Sequence, residues 1–443
     1  MTDITILHAR WLITCEDRNQ VLENHALVIQ NGLIQAILPS DAAKQKFPAA
    51  KHELYNHHVL MPGMINSHTH SSMGYFRGLA DDLALMDWLN NYIWPAEKKW
   101  ISNDFVYDAS MFAMAEMIRN GVTCFNDMYF FLEATAKAAQ TAGLRAHIGM
   151  TVIDFPTPWA KSFEEYIEKG LAFYEQYKNN ALIKATLAPH APYTVCDEHL
   201  IRIKELADQL HLKINIHLQE APDEITKSMA EFNMRPLQRL QKIGFLSENV
   251  IAIHMTQVIE EDWQILKKYK PQIVHCPQSN MKLASGGCPV TKLQSIGLNV
   301  ALGTDGAASN NDLNMLGEMR TAAFLAKHIT QDPTALSAEE TLKLATLNGA
   351  KALGIDKVTG SLTVGKSADV IAIDLEQIET QPVYHPVSQI VYAASRQQIT
   401  DVWVAGKQLL KQRKLLTLDE QEILAKAKAW QEKIAAVQLK QSA

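Results

Sequence analysis

His68 and His70 stand one residue apart in Ser67-His68-Thr69-His70, just after the break Pro62-Gly63 and the apolar run Val59-Leu60-Met61. In an extended backbone, positions i and i+2 project to the same side. Both imidazoles can therefore aim at one point, as a metal ion requires. His-x-His alone is a weak motif, equally at home in a polar loop. The chain supplies more groups of the same kind. Apolar runs end at Asn126-Asp127, at Pro189-His190, at His217-Leu218-Gln219-Glu220, at His254, at His275 and at Gly303-Thr304-Asp305. One histidine after one strand means little. Histidine or aspartate after strand upon strand points to a catalytic metal site.

These groups need elements to position them. Eight apolar runs read as strands: 59–61, 122–125, 146–152, 183–187, 213–216, 250–253, 272–274 and 300–302. Helical patterns lie between them, over 105–119 before Gly121 and over 197–210 with Asp197 as its N-cap. Ser337-Ala338-Glu339-Glu340 is a capping box that opens a helix over 338–347. Strands alternating with helices imply a parallel α/β architecture, and eight such units predict a closed (β/α)8 barrel of the TIM type over 58–368. Barrel enzymes build their sites at the C-terminal ends of the strands, where these polar groups fall.

Both chain ends read as β-rich. Strand patterns cover 4–7, 11–14, 26–30 and 33–37, with Asn31-Gly32 as a two-residue hairpin turn. Further patterns cover 369–373 and 401–408, with a turn at Ala405-Gly406-Lys407. Neither end has enough strands to bury a core alone. Segments 1–57 and 369–443 are therefore expected to pack as one small β-sandwich, and 420–438 to form a surface helix.

Composition narrows the function classes. The 443 residues are 47% hydrophobic and 20% charged, with a formal net charge of −6. No basic stripe appears, which argues against a nucleic-acid partner. No apolar run approaches the roughly 18 residues of a membrane span. Met1-Thr2-Asp3-Ile4-Thr5 lacks the basic start of a secretory signal. The five cysteines (15, 124, 196, 276 and 288) are scattered, which fits reduced thiols in a cytoplasm.

Four motifs taken together resemble the amidohydrolase superfamily. They are Pro62-Gly63-Met64-Ile65-Asn66-Ser67-His68-Thr69-His70, His217-Leu218-Gln219-Glu220, the stretch from His275-Cys276-Pro277 to Leu283, and Leu302-Gly303-Thr304-Asp305 running on to Asn311. Within it the chain is similar to the deaminase and chlorohydrolase branch, and most of all to the 5′-methylthioadenosine/S-adenosylhomocysteine deaminases. The resemblance implies one Zn2+ per subunit, with Fe2+ or Mn2+ as alternatives, held by His68, His70, His217 and Asp305. Three imidazoles, a carboxylate and an open position suit a catalytic zinc site. His190, not a lysine, ends the fourth strand, so a bridging carboxylated lysine has no support.

The expected roles follow. Asp305 accepts a proton from the attacking water, His254 hydrogen-bonds that water, and Glu220 is the general acid/base. Zinc nucleobase deaminases likewise use a glutamate that is not a ligand. By resemblance, Glu97 binds ribose hydroxyls, His190 contacts the nucleoside and Ser309 lies near the base. Trp88, in the long segment after the first strand, either covers the thioether arm or is a packed surface aromatic. A purine nucleoside is the expected substrate, and a homo-oligomer is the family expectation. Deamination or dechlorination of guanine, cytosine or an s-triazine is the alternative. A metal-free assembly protein is a third reading, opposed by the intact His68, His70, His217, Glu220 and Asp305. Met150 is read as replacing an arginine that would hold a homocysteine carboxylate, with Asp154, Phe155 and Trp159 nearby.

Other residues have plainer readings. His275 and the cysteines 124, 276 and 288 are read as buried structural groups. Asp127 is either a partner of a ligand or a helix cap. His57-His58 is read as a solvated turn, and the methionines, Met73, Met86, Met128 and Met281 among them, mostly as core.

Overall fold

The computed structural model describes residues 4–16 and 20–441. Residues 1–3, the start of the N-terminal segment read above, lie outside the described residues. Two sheets carry the fold. The first joins β1 (Ile4–Ile13), β2 (Val21–Gln30), β3 (Leu33–Pro39) and β4 (Lys51–Pro62) from one end of the chain. The second is built from β5 (Met64–Thr69), β6 (Val122–Tyr129), β7 (Arg145–Val152), β8 (Ile183–Pro189), β9 (Ile214–Leu218), β10 (Val250–His254), β11 (Gln272–His275) and β12 (Val300–Leu302). The chain then returns to the first sheet with β13 (Val370–Asp374), β14 (Ile399–Val404), β15 (Lys407–Lys411) and β16 (Lys414–Leu415).

The second sheet runs β5 to β12 in sequence order, and its ladders are parallel. Parallel strands are covered on both faces, and β6 and β7 are buried at every position. Asp305 N–H donates to His68 O at 3.0 Å and Asn66 Oδ1 accepts from Thr304 N at 3.0 Å, joining the end of β12 to β5 and closing the ring. Gly303 makes that closure possible, because a Cβ there would meet the His68 backbone at 2.8 Å. This is a (β/α)8 barrel.

The first sheet runs β16-β15-β14-β13-β4-β1-β2-β3. It folds over on itself as a sandwich. Leu33 bridges Ser367, Ala368 N–H donates to Gly32 O at 2.9 Å, and Leu7, Leu27, Ile34, Leu60, Val370 and Trp403 are buried between the layers. Arg145 at the start of β7 pairs with buried Asp369 at 3.0 Å, fixing the barrel to the sandwich.

Several expectations change. The run 59–61 ends β4 of the sandwich and pairs with β13 and β1; the first barrel strand is β5. Both runs are apolar and buried, so hydropathy could not separate them. Pro62-Gly63 marks the passage between sheets, and a Cβ on Gly63 would overlap Thr123 at 2.1 Å. The N-cap of the helix Asp197–Leu210 is Cys196; Asp197 is its first residue and pairs with Arg239 at 2.6 Å. The capping box at Ser337 forms, but its helix stops at Leu344 and a second runs Leu347–Leu353. Ile65 N–H takes the Ala345 carbonyl at 2.8 Å at that junction. His57 and His58 lie on strand β4, not in a turn. Met281 is 55% exposed. The helix Glu420–Gln441 is more than a surface element, since Trp430 packs edge-on against Phe105 and donates to Asp108 at 3.1 Å.

Candidate active site

Four side chains meet at the mouth of the barrel. His68 is the next-to-last residue of β5 with His70 just beyond the strand, His217 is on β9, and Asp305 follows β12. Asp305 Oδ1 lies 3.3 Å from His68 Nε2 and 3.2 Å from His70 Nε2, and His217 Nε2 lies 3.2 Å from His68 Nε2. A tetrahedral shell with bonds near 2.0 Å places its donors about 3.3 Å apart. Three donor pairs have this spacing and all four donors lie within 4.8 Å of one another, so the set can hold one small divalent cation with a position left for water.

The outer atoms agree. His70 Nδ1 faces Met128 O at 2.6 Å and His217 Nδ1 faces His190 O at 2.8 Å. A carbonyl requires N–H at Nδ1, which leaves each Nε2 lone pair directed inward. Ser279 and Ser309 donate to Asp305 Oδ2 at 2.7 and 2.8 Å, leaving Oδ1 for the cation. Burial lowers His68 to about 4 and His217 well below the usual range. Burial pulls His70 down too, but Asp305 and the Met128 carbonyl outweigh it and raise the imidazole to about 9. The carboxylate thus demands a positive charge at this point.

His254 and Glu220 flank the tetrad. Glu220 Oε1 is 3.7 Å from His254 Nε2, and His254 Nδ1 is 2.8 Å from Asn280 Oδ1. His254 and Asp305 have φ of 77° and 62°, left-handed values that turn the chain sharply out of the strand. Burial raises the Glu220 carboxyl above its ordinary range, against the opposing pull of His254.

A cavity of about 290 Å³ opens above these groups. His70, His217, Glu220, His254 and Asp305 line its floor, and His190 and Glu97 its sides. Its outer wall is apolar, with Leu85, Trp88, Leu89, Phe130, Ile153 and Phe155. Tyr129 donates to Glu97 Oε1 at 2.8 Å.

The amidohydrolase sequence profile matches residues 59–409 of this chain. The chain belongs to the amidohydrolase family. It is 47% identical over 431 residues to the 5-methylthioadenosine/S-adenosylhomocysteine deaminase of Saccharophagus degradans, covering 97% of each. It is 40% identical over 442 residues to the 5′-deoxyadenosine deaminase of Methanosarcina barkeri, covering 99% of this chain and 100% of that one. The zinc-bound adenosine deaminase of Xanthomonas campestris superposes with a TM-score of 0.95 at 45% identity, over 98% and 99% of the two chains.

The amidohydrolase fold brings most of the sequence candidates together and moves a few. Trp88, Glu97, His190 and Ser309 all line the cavity. The Ser309 hydroxyl, however, is spent on Asp305. Asp127 accepts Ser71 N–H at 2.6 Å and so anchors the turn after His70. His275 is buried outside the cavity, and the cysteines 124, 276 and 288 are buried. Met150 does not face the cavity: it packs against Gly170 on the outer side of β7, while Thr151 and Ile153 face inward. The alternation of a strand decides this. Asp154 turns away to His199, and Trp159 packs on Tyr166.

Tyr129, Ser279 and Asn280 are site residues that sequence reading missed. Ser279 and Asn280 lie inside the motif that begins at His275, and Tyr129 is two residues past Asp127. Strand-end position was the available signal in each case.

Proposed function

We propose that this amidohydrolase is a zinc-dependent hydrolytic deaminase that converts 5′-methylthioadenosine to its inosine analogue and ammonia. The observation that carries the reading is the tetrad His68, His70, His217 and Asp305, whose donors all lie within 4.8 Å of one another, beneath a cavity whose outer wall is apolar. The zinc-bound relative at 45% identity supports zinc as the metal. The names of the relatives from Saccharophagus degradans and Methanosarcina barkeri support a 5′-modified adenosine as substrate.

A bound divalent metal supplies activation of water near neutral pH. Asp305 takes the proton that this water gives up, and the serine hydroxyls on Oδ2 hold the carboxylate in place for it. His254, fixed by Asn280, orients the attacking oxygen. Glu220, whose carboxyl burial raises, delivers a proton to the ring nitrogen beside the amine-bearing carbon. The water oxygen bonds to that carbon. Asp305 then gives its proton to the amine, the C–N bond breaks and ammonia leaves. The new hydroxyl returns its proton to Glu220. Glu97, held by Tyr129, accepts from the ribose hydroxyls, and Trp88 with Phe130 and Ile153 covers the methylthio arm. The cytoplasm suits a chain in which none of the five cysteines is in a disulfide, and among the described residues no helix is long and apolar enough to cross a membrane.

Ammonia release is the test, measured with 5′-methylthioadenosine, 5′-deoxyadenosine, adenosine, guanine, cytosine and an s-triazine. Turnover of the 5′-modified adenosines above all others is expected. Faster turnover of guanine, cytosine or the triazine would overturn the reading.

A further inference from the structure

A second group of metal-binding side chains comes together away from the barrel mouth. Asp154 follows β7, Cys196 caps the helix Asp197–Leu210, and His199 stands in that helix's first turn. One donor atom from each lies within 4.8 Å of the others. Asp154 Oδ1 is 2.7 Å from His199 Nδ1, and Asp154 Oδ2 accepts Cys196 N–H at 2.7 Å. The His199 ring lies flat on Phe163, with centroids 3.8 Å apart and planes within 2°, which fixes the direction of Nδ1.

We propose that Asp154, Cys196 and His199 form a second divalent-metal site of the zinc class, tying the loop after β7 to the helix Asp197–Leu210. Three features support it. Cys-x-x-His at the start of a helix is a spacing that lets two side chains share one ion. Thiolate, imidazole and one carboxylate oxygen select a borderline-soft ion over magnesium or calcium. The two carboxylate oxygens do separate work: Oδ2 stays on the helix end while Oδ1, which meets His199 Nδ1, can turn to the ion. The side chains of His199 and Asp154 are 27% and 24% exposed, so water can complete the shell.

The step balances simply. The Oδ1–Nδ1 gap opens from 2.7 Å to the roughly 3.3 Å of a tetrahedral shell. The imidazole proton moves from Nδ1 to Nε2, and the Cys196 thiol releases its proton to solvent. Partial desolvation and the neighbouring Asp154 carboxylate raise that thiol above its ordinary value, so binding the thiolate releases about one proton per ion. The chain continues from Asp154 into Phe155 and Pro156 of the cavity wall. An ion here would therefore brace one wall of the pocket from outside.

Cobalt titration of enzyme carrying a single equivalent of zinc, held by the four-ligand tetrad, reads this site alone, because the tetrad at the barrel mouth contains no sulfur. The expected result is a sulfur-to-cobalt charge-transfer band that saturates at one added equivalent, with about one proton released. Cys196→Ser should abolish the band, and His199→Ala should weaken cobalt binding at least about tenfold. Both variants should retain wild-type circular dichroism and turnover in chelated buffer after reloading with one equivalent of zinc. No band in the wild-type enzyme, or a band that survives Cys196→Ser, would overturn the proposal.

Discussion

Tyr129 donates its phenolic hydrogen to Glu97 Oε1 at 2.8 Å, joining the end of β6 to the short helix Trp94–Trp100 across the pocket. The bond takes one carboxylate oxygen and leaves the other for the nucleoside. Removing it should act on binding more than on chemistry. Tyr129→Phe is expected to raise KM about tenfold, the size of one hydrogen bond to a charged group, with kcat within about threefold. Burial lifts the Glu97 carboxyl to about 7 despite the pull of Tyr129. The ionised form is the acceptor, so kcat/KM should fall as pH drops through that value. Glu97→Gln should remove that limb. A pH profile unchanged in Glu97→Gln would take Glu97 out of substrate binding.

Glu220→Gln tests the proton donor. Glutamine keeps the shape and leaves His68, His70, His217 and Asp305 untouched. Turnover should fall at least about 100-fold, the usual range for a lost general acid, while metal content stays at the wild-type level. Loss of metal in proportion to activity would make Glu220 structural.

The barrel strands were legible because parallel strands, covered on both faces, leave short continuous apolar runs that end in polar groups. β12 matches its expected span, and β7 and β10 differ from theirs by one residue at an end. The first strand was misplaced for the same reason: β4 and β5 are both buried, and only Gly63 separates them. At the site, residue type located Glu220 and Asp305, but not what holds them. That Ser309 serves Asp305 depends on how the loop after β12 folds back, which no spacing reveals. Met150 failed on a single step of strand alternation. A one-residue slip sends every side chain to the other face.

Metal content should separate the two sites. The Cys196→Ser, His199→Ala double variant is expected to hold about one equivalent of zinc after exhaustive dialysis, the stoichiometry of a single catalytic site. Replacing His217 with alanine in that background should remove it together with the activity. Two equivalents in the double variant would mean a second ion at the barrel mouth and would end the mononuclear reading.

Substrate choice follows from the outer wall of the pocket. A homocysteine arm would carry a carboxylate past Leu85, Trp88, Phe130, Ile153 and Phe155, whereas a methylthio group brings no charge. Burying a carboxylate without a partner is costly. Arg145 is committed to Asp369 at the far end of β7, and Lys161 Nζ bonds to Thr157 O, so neither is placed for the task. Lys98 is the one lysine or arginine among the residues described as lining the cavity, and it sits exposed at the rim. A solvent-screened ammonium recovers only part of the roughly 1.5–3 kcal/mol of a charge-assisted contact. 5′-Methylthioadenosine should therefore be preferred over S-adenosylhomocysteine by at least about tenfold in kcat/KM. Lys98→Ala should widen the gap, slowing S-adenosylhomocysteine several-fold and leaving 5′-methylthioadenosine unchanged. Competition kinetics with both nucleosides measures the ratio directly. Equal kcat/KM values in the wild-type enzyme, kept in Lys98→Ala, would show that neither the apolar wall nor Lys98 sets the preference.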